Sequence, residues 1–231
     1  MKKLLILGAG AGGTMIATKM RKLLSEREWE ITIIDRDPIH HYQPGWLLVP
    51  FGVDTPEGCV RPKKDFITRG VNFVLDTITA VDPVQRKVVC KNSTHTYDWI
   101  VVASGARIAP DEVPGLLDDW GGKIHNFYTH DGAAALYGKM KNFKKGRLVL
   151  HICETPIKCP VAPLEFVYMA DWYLQKMGVR DNVEIELVTP LTGAFTKPVA
   201  NNILGALCEK KGIKVTTNWT VDSVEADRAV I

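Results

Sequence analysis

Two short stretches of this sequence carry residue types and spacings suited to chemistry. The first is Gly8-Ala9-Gly10-Ala11-Gly12-Gly13, followed 22 residues after Gly13 by Asp35. Gly8, Gly10 and Gly13 make G-x-G-x-x-G. In such a turn the first glycine permits the tight bend and the second lets a pyrophosphate reach the backbone. The third lets the following helix pack closely on the strand. The helix start adds unpaired N–H groups and a partial positive charge for a diphosphate. An acid placed like Asp35 can bind the hydroxyl pair of a ribose, and it repels a 2′-phosphate, which disfavours NADP. The second stretch is Cys153-Glu154-Thr155-Pro156-Ile157-Lys158-Cys159-Pro160-Val161-Ala162-Pro163. Cys159 lies just ahead of an expected helix with Lys158 beside it. Both the helix dipole and the neighbouring cation favour a thiolate, so Cys159 is a candidate nucleophile.

The elements around each stretch must hold these residues. Leu4-Leu5-Ile6-Leu7 reads as a buried strand, Thr14 to about Arg27 as an amphipathic helix, and Ile31-Thr32-Ile33-Ile34 as a second strand ending on Asp35. Strand, glycine turn, helix, strand and acid together favour dinucleotide binding over a turn needed for packing alone. A second unit follows the same order: a strand over Arg147–Ile152, a helix over about Leu164–Lys176 and a strand over Val183–Val188. Its first strand is followed not by glycines but by three prolines and Glu154. That loop cannot wrap a pyrophosphate, although Lys158 partly offsets the glutamate.

Between the two units, Val71–Val74 and Thr77–Val81 read as strands, and Lys87–Cys90 with Thr94–Tyr97 as a hairpin. The run Trp99-Ile100-Val101-Val102 ends in Ala103-Ser104-Gly105-Ala106, a small-residue turn that lets backbone approach a ligand. Leu47–Val53 reads as a short helix or loop, Ala133–Met140 as a helix, Ala200–Lys211 as a helix and Ile213–Thr217 as a strand. Breakers at Pro110, Pro114 and Gly115 mark a domain boundary. The expected class is α/β, with two Rossmann-like β-α-β domains over residues 1–109 and 110–231.

Composition narrows the function classes. A net charge of +3, with no basic stretch interleaved with aromatics, gives no reason to expect nucleic acid as a partner. No apolar run reaches the roughly 18 residues of a membrane span. Five cysteines at irregular spacing do not form a disulfide framework in a chain of 231 residues, which suggests a cytoplasmic setting. Cys59 reads as a surface or packing residue, and Cys90 and Cys153 as structural. His40 and His41 are adjacent on a loop without a suitably spaced third ligand, so no metal is expected.

The glycine fingerprint with Asp35, the loop His41-Tyr42-Gln43-Pro44, the strand ending Ala103-Ser104-Gly105 and the string Thr155-Pro156-Ile157-Lys158-Cys159-Pro160 together resemble sulfide:quinone oxidoreductase. This is a branch of the FAD-dependent disulfide-reductase-like flavoproteins, and the resemblance runs to about Val224. It implies oxidation of hydrogen sulfide to a persulfide or polysulfide at two cysteines, with electrons passing through FAD to a quinone. It implies that Cys159 is one redox cysteine and that Glu165 is a carboxylate near flavin and quinone. Glu165 is equally placed to be a first-turn acid favoured by the helix dipole. It further implies that Gly8, Gly10, Ala11, Gly12, Gly13, Asp35, Arg36, Gln43, Pro44, Ile78, Ser104 and Gly105 line the FAD.

The family carries a further stretch that completes the FAD domain, supplies the second redox cysteine and ends in membrane-binding helices. Cys59, Cys90, Cys153 and Cys208 do not stand in for that cysteine. The chain stops at Ala229-Val230-Ile231, inside a strand by its residue pattern, so it is expected to be an incomplete portion, inactive by itself. Peripheral attachment at the inner face of a membrane is expected only of the full length, and a homo-oligomer is compatible with the resemblance. Two other readings stand beside it. A type II NADH:quinone dehydrogenase would need a glycine turn after Leu150. A non-catalytic nucleotide-binding remnant would need none.

Overall fold

The computed structural model describes residues 1–225 and 228–230. The expectation that the chain stops inside a strand rests partly on Ile231, which lies outside the described residues. The described chain divides into two compact units, Met1–Tyr42 with Val60–Arg107, and Gln43–Cys59 with Ile108–Ile231.

In the first unit, β1 (Lys2–Leu7) runs into α1 (Ala11–Leu23) and returns as β2 (Trp29–Asp35). The short strands β3 (Ile39–His41) and β4 (Val60–Pro62) pair antiparallel. Then follow β5 (Asn72–Leu75), β6 (Ile78–Asp82), β7 (Lys87–Cys90), β8 (Thr94–Thr96) and β9 (Trp99–Val102). The parallel sheet has the order β5-β2-β1-β9, and β6-β7-β8 form a separate antiparallel sheet.

The apolar run of β1 is continuous because both of its faces are buried. Leu4 and Ile6 pack with Ala17 of α1 and with Ile31 and Ile33, whereas Leu5 and Leu7 pack with Val88, Cys90 and Tyr97. Alternate side chains of a strand point to opposite faces, so a single run serves two cores. The helix begins earlier than the sequence pattern suggests, at Ala11 rather than Thr14, and ends at Leu23 rather than near Arg27. It stops because the Arg21 guanidinium takes the carbonyls of Leu24, Trp29 and Gly70, and Ser25 turns the chain toward β2.

The second unit opens with three 3-10 turns, Gln43–Leu47, Val49–Phe51 and Glu57–Cys59. Next come α2 (His130–Asn142), β10 (Gly146–His151), α3 (Ala162–Lys176), β11 (Val183–Val188), α4 (Pro198–Lys210) and β12 (Ile213–Thr216). A short antiparallel pair, β13 (Ser223–Glu225) and β14 (Arg228–Val230), closes the description. The sheet is parallel in the order β10-β11-β12. On α3, Leu164, Val167, Ala170 and Leu174 are buried at helical spacing. Asp171 lies among them, and its carboxylate is held by Arg180 Nε and Lys211 Nζ, each at 2.7 Å.

Unlike a single cut between residues 109 and 110, the two compact units interleave in sequence. Residues 43–59 belong with the second unit because Trp46, Val49, Phe51 and Cys59 are buried in its core with Phe127 and Phe166. The Phe51 ring lies 5.1 Å from Phe166 and 5.8 Å from Tyr173. Helix α2 also starts earlier than Ala133, since the Thr129 hydroxyl accepts the Gly132 N–H at 3.1 Å and caps it.

Candidate functional site

The two stretches singled out by their chemistry lie in different units, and each builds its own site. In the first unit the glycine turn joins β1 to α1. Gly8 has φ +98°, and a Cβ there would fall 2.4 Å from the Ala103 carbonyl oxygen and 3.0 Å from Ser104 Cα. The turn at the end of β9 thus lies directly against the glycine turn, and Ser104 and Gly105 are exposed beside it. A Cβ on Gly13 would lie 1.8 Å from the Gly8 carbonyl oxygen. Gly8 and Gly13 are required by packing. Gly10 and Gly12 differ, since a Cβ at either would meet nothing within 4 Å.

That open strip is the floor of a cradle. Gly10 caps α1 without any side-chain hydrogen bond, and no acid occupies the first turn. The helix start therefore offers backbone donors and positive potential, and no acid of its own first turn opposes an anion. A nucleotide diphosphate fits this surface of Gly10, exposed Ala11 and Gly12.

Asp35 ends β2 beside the turn, but its oxygens are already engaged. Oδ2 accepts the Ala9 N–H at 2.7 Å and pairs with Lys63 Nζ at 2.9 Å, while Oδ1 accepts the Asp37 N–H at 2.9 Å. Burial acts to raise its pKa. The Asp37 N–H, Lys63 and the Ala9 N–H outweigh that, and the carboxyl is held below its ordinary value. A carboxylate has about four acceptor positions, so Asp35 keeps roughly one for a ribose hydroxyl. It also ties the glycine turn to β4 and the segment that follows. Lys63 partly neutralises the repulsion of a 2′-phosphate expected from Asp35 alone. Arg36 is exposed beyond the strand. Ile78, at the start of β6, packs its side chain against the cluster of Val88, Cys90 and Tyr97.

Nothing in the sequence signals Lys63, and His40 is raised there only as a metal ligand. Lys63 is buried, and its ammonium also donates to the Asp37 carbonyl at 2.9 Å. The His40 ring lies 4.4 Å from Phe66, and its buried Nδ1 has no hydrogen-bond partner. Burial, Lys63 and His41 hold the His40 pKa below its ordinary value against an opposing hydrogen bond to the Ala9 backbone. Neither residue stands at a spacing from the glycines that marks it. Among the described residues no group of three or more His, Cys, Asp or Glu could hold a metal.

In the second unit β10 ends at His151 and the chain enters the proline-rich loop. Cys153 is half-buried, with Sγ 3.9 Å from the His151 carbonyl, and burial together with Glu154 pushes its thiol pKa up. Cys59, Cys90 and Cys208 are buried, and burial raises the pKa of each thiol. Cys159 alone of the five is exposed. It adopts φ +49°, left-handed and uncommon for a side chain other than glycine, and its carbonyl accepts the Ala162 N–H at 3.0 Å. The loop thereby presents the thiol three residues before α3. Glu165 is exposed in the first turn of that helix.

Gln43 and Pro44, expected beside the cofactor, form the first 3-10 turn of this unit. The Gln43 Oε1 accepts Lys158 Nζ at 3.4 Å, and Pro44 is exposed. Lys158 also lies 5.9 Å above the Tyr128 ring. Tyr128 is a further residue that spacing did not reveal. Its hydroxyl is buried without a partner, and burial with the nearby charges of Cys159 and Glu165 pushes its pKa up to about 12.

With this geometry in view, the sequence matches the family described as pyridine nucleotide-disulphide oxidoreductase over residues 2–148. The mitochondrial sulfide:quinone oxidoreductase of Dictyostelium discoideum is 28% identical over 228 residues, covering 97% of this chain and 50% of that protein. The type II NADH:quinone oxidoreductase of Staphylococcus aureus is 35% identical, but over 119 residues, 51% of this chain and 29% of that one. The solved structure of the sulfide:quinone oxidoreductase from Aquifex aeolicus superposes with a TM-score of 0.81 at 20% identity, covering 99% of this chain and 54% of that one. At that identity the likeness shows the fold. The chain spans about half the length of the sulfide:quinone oxidoreductases it matches.

Proposed function

Because the chain belongs to the pyridine nucleotide-disulphide oxidoreductase family, we propose that it is the FAD-binding and sulfur-handling portion of an enzyme that oxidises sulfide and passes the electrons to a quinone. Family and relatives imply a flavin cofactor. The observation that carries the finer reading is the exposure of Cys159 on the loop where a second glycine turn would otherwise stand. A nicotinamide-dependent relative needs that turn for a pyrophosphate. Here the position holds a thiol, prolines and a glutamate.

The residues of the cradle fit FAD. Gly10, Ala11 and Gly12 would hold the diphosphate, with Gly8 and Gly13 fixing the turn. Asp35 would take one ribose hydroxyl, and Arg36, Ile78, Ser104 and Gly105 would flank the nucleotide. When bound, the flavin supplies two-electron acceptance and onward transfer to quinone. Cys159 would hold the substrate sulfur. Hydrosulfide attacks a sulfur–sulfur bond between Cys159 and a second cysteine from outside this chain, one cysteine keeps the added sulfur as a persulfide, and the other leaves as a thiolate. Glu165 would accept the proton that hydrosulfide formation releases. Gln43 would support the loop through Lys158. Peripheral association at the inner face of a membrane is part of the proposal for the full-length protein; no helix among the described residues is long and apolar enough to cross a membrane.

Sulfide added to the complete, FAD-loaded protein should bleach the flavin, and NADH should not. Cys159→Ser should abolish the sulfide-dependent bleaching. An unchanged rate in that variant overturns the assignment, and bleaching by NADH instead of sulfide favours the type II dehydrogenase reading.

A further inference from the structure

The Lys63 side chain is only 6% exposed, and it is fixed at both ends. Its backbone N–H donates to the Pro38 carbonyl at 2.7 Å. Its ammonium donates to the Asp37 carbonyl at 2.9 Å and pairs with Asp35 Oδ2 at 2.9 Å. The same Asp35 oxygen accepts the Ala9 N–H of the glycine turn at 2.7 Å. All of these residues belong to the first unit. The ammonium therefore stands two polar contacts from the turn, whose next residues, Gly10 to Gly12, form the floor of the cradle.

An ammonium has three N–H donors, and among the described residues Lys63 finds acceptors for two. A cation held this deep cannot turn its remaining donor into bulk water, and an unmet donor on a charged group is costly. Asp35 shows the matching imbalance. Of about four acceptor positions on its carboxylate, the Ala9 N–H, the Asp37 N–H and Lys63 occupy three. One free donor and one free acceptor thus stand side by side beside a surface suited to a diphosphate. Adjacent hydroxyl oxygens of a ribose also lie at hydrogen-bond distance from one another, and each hydroxyl can donate or accept. The pair matches such a diol, with one hydroxyl donating to Asp35 and the other accepting from Lys63. A carboxylate alone offers acceptors and no donor.

We propose that Lys63 is a nucleotide-binding residue, whose remaining N–H donates to one ribose hydroxyl of the adenosine half while Asp35 accepts from the other. The proposal rests on the nucleotide part of the reading above and not on its sulfide chemistry. No covalent bond changes, and the proton stays on the ammonium. A consequence concerns charge. The Asp35–Lys63 pair carries no net charge, so an anionic group on the hydroxyl facing Lys63 is not rejected as Asp35 alone would reject it. The acid nearest the pair is Asp37, whose Oδ2 already lies 3.2 Å from His41 Nε2.

The test is calorimetric titration of the 231-residue chain with ADP, 2′-deoxy-ADP and 3′-deoxy-ADP. In the parent, loss of either hydroxyl should weaken binding about tenfold, the size of a hydrogen bond to a charged group. In Lys63→Met one of the two ratios should fall to about one while the other holds. A ratio between analogues does not depend on the variant's stability, because a smaller folded fraction weakens all three nucleotides alike. A phosphate added to the hydroxyl whose ratio collapses should be tolerated by the parent and should weaken binding to Lys63→Met about tenfold, since Asp35 then acts unopposed. If Lys63→Met does not fold, the parent's ratios still decide, because the one acceptor left on Asp35 accounts for one sensitive hydroxyl and not for two. A single sensitive hydroxyl in the parent, or two ratios unchanged in Lys63→Met, overturns the assignment and leaves the cradle standing. Failure of the parent to bind ADP overturns the nucleotide reading itself. Hydroxyl-dependent ADP binding, with no flavin bleaching by sulfide in the complete protein, would overturn the sulfide reading and leave Lys63 in its role.

Discussion

Lys63 Nζ lies 2.9 Å from Asp35 Oδ2, and both side chains are largely shielded from water. The acid beside the glycine turn is thus one half of an ion pair, and its partner comes from a segment distant in sequence. Removing one member of a shielded pair is worse than never having had it, because the other charge stays buried without compensation. Lys63→Met should lower unfolding stability by about 2–4 kcal/mol by urea titration. Adding Asp35→Asn should recover part of the loss, and a purely additive double variant would rule out the coupling.

Acid should remove this stabilisation. The folded-state pKa of Asp35 lies below its unfolded value. Its contribution is therefore complete above the unfolded pKa, near 3.9, and is lost as pH falls through the folded value. Asp171 and Glu186 are lowered in the same direction: burial acts to raise both, but Lys211 and Arg180 outweigh it at Asp171, and the Thr216 hydroxyl with Lys214 and Arg147 outweighs it at Glu186. His40, lowered by burial, adds stability that is present above about pH 6.5 and lost below it. Urea midpoints measured from pH 7 to pH 3 should fall throughout, and Asp35→Asn should flatten the acid end.

The glycines divide by role. Gly13→Ala puts a methyl against the Gly8 carbonyl and should destabilise the fold by about 2–3 kcal/mol or prevent folding. Gly10→Ala meets no neighbour, so its thermal midpoint should stay close to the parent's while retained flavin in the complete protein falls. Comparing melting with flavin absorbance separates the two.

Asp171 tests the second unit. It is buried on α3 and held by Arg180 and Lys211. Asp171→Ala leaves two cations facing an empty site and should cost about 3–5 kcal/mol. A loss under about 1 kcal/mol in urea denaturation would mean that the pairs are exposed and weak.

Native labelling distinguishes the thiols. Cys159 should react first, Cys153 slowly, and Cys59, Cys90 and Cys208 only when the chain unfolds. Rapid native labelling of Cys208 would contradict its packing beside Tyr168, whose hydroxyl lies 3.3 Å from its sulfur.

The β-α-β units were legible because their information is local. A buried strand, a glycine turn and an apolar stripe declare themselves within about 30 residues. The placement of residues 43–59 was not legible, since Trp46 and Phe51 are apolar in any loop and the aromatic core that accepts them begins at Phe127. Lys63 reads as one of two adjacent surface lysines until Asp35 is seen beside it. Tyr128 carries no motif, and only packing reveals its unpaired hydroxyl. Cys159 could be singled out from neighbouring prolines and the coming helix, whereas its left-handed backbone could not.

The two-sided burial of β1 has a further effect. Leu4 and Ile6 serve one layer while Leu5 and Leu7 serve the other. Losing a single residue from that strand would exchange the two crowds at once, sending helix-facing side chains toward the hairpin and the reverse. The direction in which the glycine turn leaves the sheet is set by the same phase. Aim at the nucleotide is therefore inherited from strand registration, and a one-residue deletion there would disable binding without touching a ligand contact.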